Sequence, residues 1–311
     1  MSLEADAIVD RRRLKRSRAL WRFLAVLALG AVVVTSLISF GVSGFGFGHV
    51  ARLEIAGEIF DDRGLVEAID RVADDSSAEA LLVAVDSPGG TVTGSEAIYD
   101  ALRRVAAQKP VVAVMGSLAA SGGYAVSLGA DHIFARRNTI TGSIGVIMQA
   151  TDLSGLLDKV GVKINEIKSA PLKAEPSPYH PLTPEARKAT QDMIDDAYDW
   201  FVGLVAERRK LSPDKARQLG DGRVYSGRQA VENKLIDELG DEKDARRWLE
   251  TQFGVSQNLP ERQIRPVRSL SDLGPTEGRI GRALFTALTG KSLDSKRLTL
   301  DGLVAIWHPS L

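Results

Sequence analysis

The sequence predicts an α/β domain built on a parallel sheet, set behind a basic N-terminus and one apolar span. Two continuous apolar runs, residues 80–85 (ALLVAV) and 110–115 (PVVAVM), have the composition of strands buried on both faces. Segments with helical spacing lie between and after them, the alternation that builds parallel β-α-β units. Residues 23–42 are uncharged and predominantly apolar. A helix of that length reaches about 30 Å, the thickness of a bilayer core.

Residues 1–22 carry seven cations against three anions. This basic tail is expected to stay in the cytoplasm, with 23–42 as a transmembrane anchor and 43–49 as a Gly-rich linker. A cleavable leader has an apolar stretch of only about 7–15 residues ending in a small-residue site. The stretch here is longer and no A-x-A follows, which favours a retained anchor. The main domain is predicted over 50–253, with helical additions towards its C-terminal end. An extension over 254–311 shows no clear pattern.

Within the domain, residues 50–56 (VARLEIA) alternate like a strand and 64–73 have helical spacing. The buried strand 80–85 is followed by a helix over 95–107, the strand 110–115, a helix from about residue 120, and a strand over 132–135. Strands are also predicted at 144–149 and 162–167, on either side of a helix at 153–160. Residues 169–182 hold four prolines and no periodicity, which reads as an ordered loop. Thr183 caps a long helix to about residue 210, with Pro184 at its first position. Helices at 213, 226–233 and 242–252 follow.

Formal net charge is zero overall, and from Phe23 onward 33 cations face 37 anions. A nucleic-acid partner, which needs a broad basic face, is not expected. The chain has no cysteine, so thiol proteases, thiolate-bound zinc and disulfide scaffolds are excluded. Nothing in the pattern calls for a metal or cofactor.

Three short motifs carry candidate chemistry. Asp86-Ser87-Pro88-Gly89-Gly90 follows the first buried strand. A Pro-Gly-Gly turn there leaves backbone N–H groups free to face a developing oxyanion. Met115-Gly116-Ser117-Leu118-Ala119-Ala120-Ser121-Gly122-Gly123-Tyr124 follows the second. Small residues around Ser121 allow close approach, and a helix start beside it favours negative charge. As a plain structural residue Ser121 would be a helix N-cap, and Ser117 competes with it. In Asn138-Thr139-Ile140-Thr141-Gly142-Ser143-Ile144-Gly145-Val146, two glycines flank Ser143.

A nucleophilic serine needs a base. His49, His132, His180 and His308 are the histidines, and none is well placed by sequence. A lysine serves only if its amine is neutral, which takes a drop of roughly 3–5 units from about 10.4. Lys173, in the apolar and proline-rich stretch SAPLKAEPSP, is one candidate. Lys163 and Lys168 are others, and residue chemistry alone does not choose among them.

DSPGG, GSLAASGGY and NTITGSIGV, followed by Ser226-Gly227-Arg228-Gln229-Ala230 and Leu235-Ile236-Asp237-Glu238-Leu239-Gly240, resemble in this order the signatures of the signal peptide peptidase A family. The likeness spans roughly residues 50–253. It implies a Clp-protease/crotonase-like β-α-β superhelix and a Ser-Lys dyad serine protease. The family nucleophile falls on Ser121. The family lysine precedes an S-P-E-A-R-like helix start, here Thr183-Pro184-Glu185-Ala186-Arg187, and so falls on Lys173. Ala170 and Pro171 stand where the family often has glycine. The resemblance further implies an oxyanion hole from the Gly89 and Gly122 amides, and Ser143 orienting the lysine.

It also implies a ring- or dome-shaped homo-oligomer whose dyad can be shared between copies. The expected setting is a bacterial inner membrane with the catalytic domain outside the cytoplasm. The expected substrates are remnant signal peptides and other apolar peptides. Rival readings are a protease of the same clan acting on proteins, a crotonase-like acyl-CoA enzyme, and an inactive scaffold.

Overall fold

The computed structural model describes residues 21–30, 48–266 and 304–306. Residues 21–30 are helical and form part of a unit separate from the main domain. Among the described residues no helix is long and apolar enough to cross a membrane. The remainder of the expected anchor, the basic tail, most of the linker and most of the C-terminal extension lie outside the described residues.

The main domain begins with β1 (His49–Ile59), α1 (Arg63–Asp74), β2 (Ala78–Thr91), α2 (Val92–Ala106), β3 (Val111–Ala120) and α3 (Gly122–Ser127). β4 (His132–Ala135), β5 (Ile140–Gly142) and α4 (Ser154–Lys159) follow. Then come α5 (Pro184–Arg209), α6 (Pro213–Leu219), β6 (Val224–Ser226), α7 (Gly227–Glu232), β7 (Glu238–Leu239), α8 (Glu242–Phe253), β8 (Glu261–Gln263) and β9 (Val304–Ile306).

The sheet order is β6-β5-β3-β2-β1-β8, with β4 also pairing β3, β7 pairing β4, and β9 pairing β2. β1, β2 and β3 are mutually parallel, as the buried runs predicted. Alternation explains those runs. Leu81, Val83 and Val85 pack with Ile69, Leu102 and Phe201 on one face. Ala80 and Leu82 pack with Val112, Phe134 and Leu249 on the other.

Caps fix where the helices start. Asp62 accepts from the Leu65 amide, Thr91 from Gly94, Thr183 from Ala186, and Ser212 from Lys215. Thr91 is also the last residue of β2, so strand passes to helix with no loop.

Three readings of the sequence need correction. DSPGG is not a turn after a strand: β2 continues through it to Thr91. The irregularity the Pro and Gly residues impose appears as register shifts between Val85 and Ser87 and between Ala56 and Glu58. Residues 144–149 and 162–167 are not strands. Val162, Ile164 and Ile167 are exposed, and an alternating pattern forms a strand only where a partner edge takes its hydrogen bonds. β5 to β8 are each three residues or shorter and carry too little pattern to be read from the sequence.

Candidate active site

β3 is longer than either neighbour on its outer side. Its first half pairs with β4 at Val112–Met115, and its second half pairs with β5 at Leu118–Ala120. Ser121 leaves the sheet at this fork. Its amide donates to the Gly142 carbonyl at 2.8 Å, and its own carbonyl accepts from Ala125 at 2.9 Å. The backbone is held at φ 55° and ψ −120°. For a residue with a Cβ this is strained by about 1–3 kcal/mol.

The side chain is 1 % exposed. Ser121 stands at the N-cap position of α3 but makes no capping bond, so the plain reading of it as a cap fails. A strained serine between strand and helix, its hydroxyl uncommitted, has the form of a nucleophile elbow. Ser117 is exposed on β3 and has no such backbone.

Gly122 is the first residue of α3, and its amide has no acceptor within the helix. Gly123 packs so tightly that an added Cβ would lie 2.8 Å from the Ser87 carbonyl oxygen. Ser87 is fully buried. Its hydroxyl donates to the Gly57 carbonyl at 2.6 Å and accepts the Gly89 amide at 3.0 Å. The Gly89 amide, expected to be free, is therefore engaged by Ser87. Sequence reasoning passed over Ser87, although its place inside DSPGG was a signal. Gly89 itself has φ 102°, which suits only glycine. On the free side of β2, Gly89, Gly90 and Thr91 pair antiparallel with Ile306, Ala305 and Val304 of β9.

Ser143 follows Gly142, the register partner of Ala120, so Ser121 and Ser143 leave adjacent strand ends. Ser143 has φ 50° and its amide donates to the Arg223 carbonyl at 2.8 Å.

The rival bases sort by their partners. His49 is buried at the start of β1, 3.3 Å from the Ser77 hydroxyl, and burial lowers its pKa. His132 stacks on Trp248 with ring centroids 4.7 Å apart, also lowered by burial. His308 lies outside the described residues. Lys163 is exposed. Lys168 Nζ lies 2.8 Å from Glu166 and 2.7 Å from Glu175, and those carboxylates raise its pKa. His180 is raised by its hydrogen bond to the Pro181 carbonyl and by the same two carboxylates.

Lys173 differs from both. It sits on a turn closed by its amide to Ala170 O at 3.1 Å and by Glu175 N to Leu172 O at 3.3 Å, and it is exposed. Among the described residues no hydrogen bond joins Ser121 to any lysine or histidine. Glu166, Glu175 and His180 lie close enough to share a cation, but the Lys168 ammonium already lies against both carboxylates. A groove of about 460 Å³ elsewhere is lined by Arg52, Glu54, Asp86, Arg136 and Glu242, among others, and not by Ser121.

The model of peptidase family S49 matches residues 103–256, which include Ser121 and Lys173. A putative protease of Synechocystis sp. is 42% identical over 214 residues, 68% of this chain and 77% of that one. A putative protease of Methanocaldococcus jannaschii is 35% identical over 248 residues, 75% of this chain and 80% of that one. A putative signal peptide peptidase SppA of Enterococcus faecium is 38% identical over 189 residues, 60% of this chain and 55% of that one. The chain belongs to peptidase family S49 and is a serine peptidase.

Proposed function

We propose that this peptidase cleaves apolar peptides beside a membrane, with Ser121 as nucleophile and Lys173 of a neighbouring copy as base. The observation that carries the reading is the contrast between the two residues. Ser121 has a buried, strained elbow and no base bonded to it, whereas Lys173 is held out on a turn with no acid paired to it.

In this reading an extended substrate takes the place of β9 along the edge of β2 at Gly89–Thr91. The antiparallel pairing of that edge with β9 supports its use by another extended segment. Ser121 Oγ attacks the carbonyl carbon. Neutral Lys173 takes the hydroxyl proton and later gives a proton to the leaving amine. A second turnover step, attack of water on the acyl-serine, returns the enzyme.

The Gly122 amide faces the oxyanion. The Gly89 amide joins it by exchanging Ser87 for the oxyanion as acceptor. Ser143, beside Ser121, orients the incoming amine. Burial between two copies supplies the desolvation that keeps the amine neutral. The exposed Ile147, Leu153, Leu156, Val160, Val162, Ile164 and Ile167 form the apolar surface that such an assembly covers. The apolar stretch at 23–42 anchors the chain, with the domain outside the cytoplasm. Remnant signal peptides fit this location and the name of the Enterococcus relative.

Labelling by a fluorophosphonate and hydrolysis of a quenched apolar peptide test the reading. Wild type is labelled at Ser121, Ser121→Ala is not, and Lys173→Ala is labelled at least a hundredfold more slowly, about the contribution of a general base. Full hydrolysis by Lys173→Ala would remove the lysine from the mechanism.

A further inference from the structure

The eight residues from Lys168 to Glu175 form a loop whose two ends are tied together. Lys168 Nζ lies 2.7 Å from Glu175 Oε1, and Lys173 stands between them. Glu175 is almost fully buried at its side chain. Glu166 adds a second carboxylate 2.8 Å from the same amine. Ser177 donates its hydroxyl to Glu166 at 3.2 Å and its amide to Glu175 at 3.2 Å. The Leu153 amide donates to Pro178 O at 2.8 Å, which fastens the far end to the start of α4.

His180 completes the group. Its Nε2 lies 3.1 Å from Glu175 and 3.3 Å from Glu166, while Nδ1 lies 3.1 Å from the Pro181 carbonyl. Both ring nitrogens face acceptors, so the doubly protonated ring is the form that satisfies the site. Asp152 is the other charged group facing the ring, from the segment before α4.

We propose that Lys168, Glu166, Glu175 and His180 form an ionic clasp that positions the Lys173 turn for delivery to Ser121. The four are positioning residues, and the proposal rests on the reading of Lys173 as the base. Two cations serve two carboxylates, and they differ in titration. Lys168 stays charged across the neutral range. His180 loses its charge as pH rises through its raised pKa. With Lys168 present the clasp keeps a cation throughout. With Lys168 removed, closure depends on His180 alone and is lost as the imidazole deprotonates.

The test uses the full chain in detergent, a quenched apolar peptide, and kcat and KM measured from pH 5.5 to 9. Lys168→Arg stays within about threefold of wild type. Lys168→Met lowers kcat about 10- to 100-fold with KM nearly unchanged, the scale of a base misplaced by about 1 Å. That variant also acquires a further fall in kcat as pH rises through the imidazole range. Adding His180→Gln removes this fall and leaves the rate low at every pH. Glu175→Gln, which keeps the size and an acceptor, lowers kcat less and adds no new limb.

Melting temperature and particle size are read alongside. If Lys168→Met does not assemble, Glu175→Gln decides: wild-type kcat in it overturns the clasp. Wild-type kcat and pH profile in Lys168→Met overturns it as well, as does a loss confined to KM. If Lys173→Ala is inactive while Lys168→Met is normal, the clasp fails alone. If Lys173→Ala is active, the reading beneath it fails.

Discussion

The Ser121 corner and the Lys173 arm are built in opposite ways. The corner is backbone held by backbone. Ser121, Gly142 and Ser143 are each fixed by ladder or turn hydrogen bonds, and the Ser87 hydroxyl ties β1 to β2. The arm, residues 144–182, is mostly exposed, has only the short helix α4, and is held by ion pairs and a turn. The corner is thus fixed within a single chain, while the arm faces outward and carries exposed apolar side chains. In the proposed reading the arm's packing partner is another copy, and stability and catalysis should then separate between the two regions.

The largest expected effect is at the corner. Ser121→Ala should lower kcat by about 10⁴–10⁶, measured with the quenched peptide, because it removes the attacking hydroxyl. At the same position Ser121→Gly should be equally inactive yet melt higher than Ser121→Ala. Glycine relieves the strain at φ 55° and alanine does not. Equal melting temperatures would mean that the elbow stores no strain.

In the arm, Leu156→Asp should leave the melting temperature of the domain within about 2 °C, since an exposed position changes stability by only about 0.5 kcal/mol. It should nonetheless shift the particle to a smaller size and remove most activity. Retention of full size by sedimentation would break the comparison.

Ser87→Ala comes next. It strands the buried Gly89 amide and should cost about 1–3 kcal/mol by denaturant titration. It should also lower kcat, because the Gly89 amide loses its orientation.

The smallest effect is on pH. The Glu166 and Glu175 carboxylates are held below their usual range chiefly by Lys168. Their contribution to local order is present above the ordinary carboxylate range and lost as pH falls through the lowered values. His180 has the opposite sign: its contribution is full below the ordinary imidazole value and lost as pH rises through the raised one. Hydrogen exchange of the Lys173 and Glu175 amides should quicken most at acid pH, after correction for the intrinsic rate.

The parallel core was legible because alternating faces of β2 and β3 are both apolar, and the caps at Thr183 and Ser212 announce their helices directly. Ser121 was legible from its small neighbours. What the sequence did not disclose depended on distant partners. The Gly89 amide is taken by Ser87 inside one motif, but only the meeting with Gly57, 30 residues away, turns that hydroxyl into an acceptor. Residues 162–167 read as a strand and are not one, because among the described residues no strand edge pairs with them. Lys168 looked as good a base as Lys173 until Glu166 and Glu175 were seen on either side of its amine.

Mixing the two inactive chains, Ser121→Ala and Lys173→Ala, is the most direct test of a dyad formed between copies. Co-assembled one to one, they should recover about a quarter of wild-type activity, since a random interface pairs an intact serine with an intact lysine that often. No recovery from chains that demonstrably share particles would contradict the account.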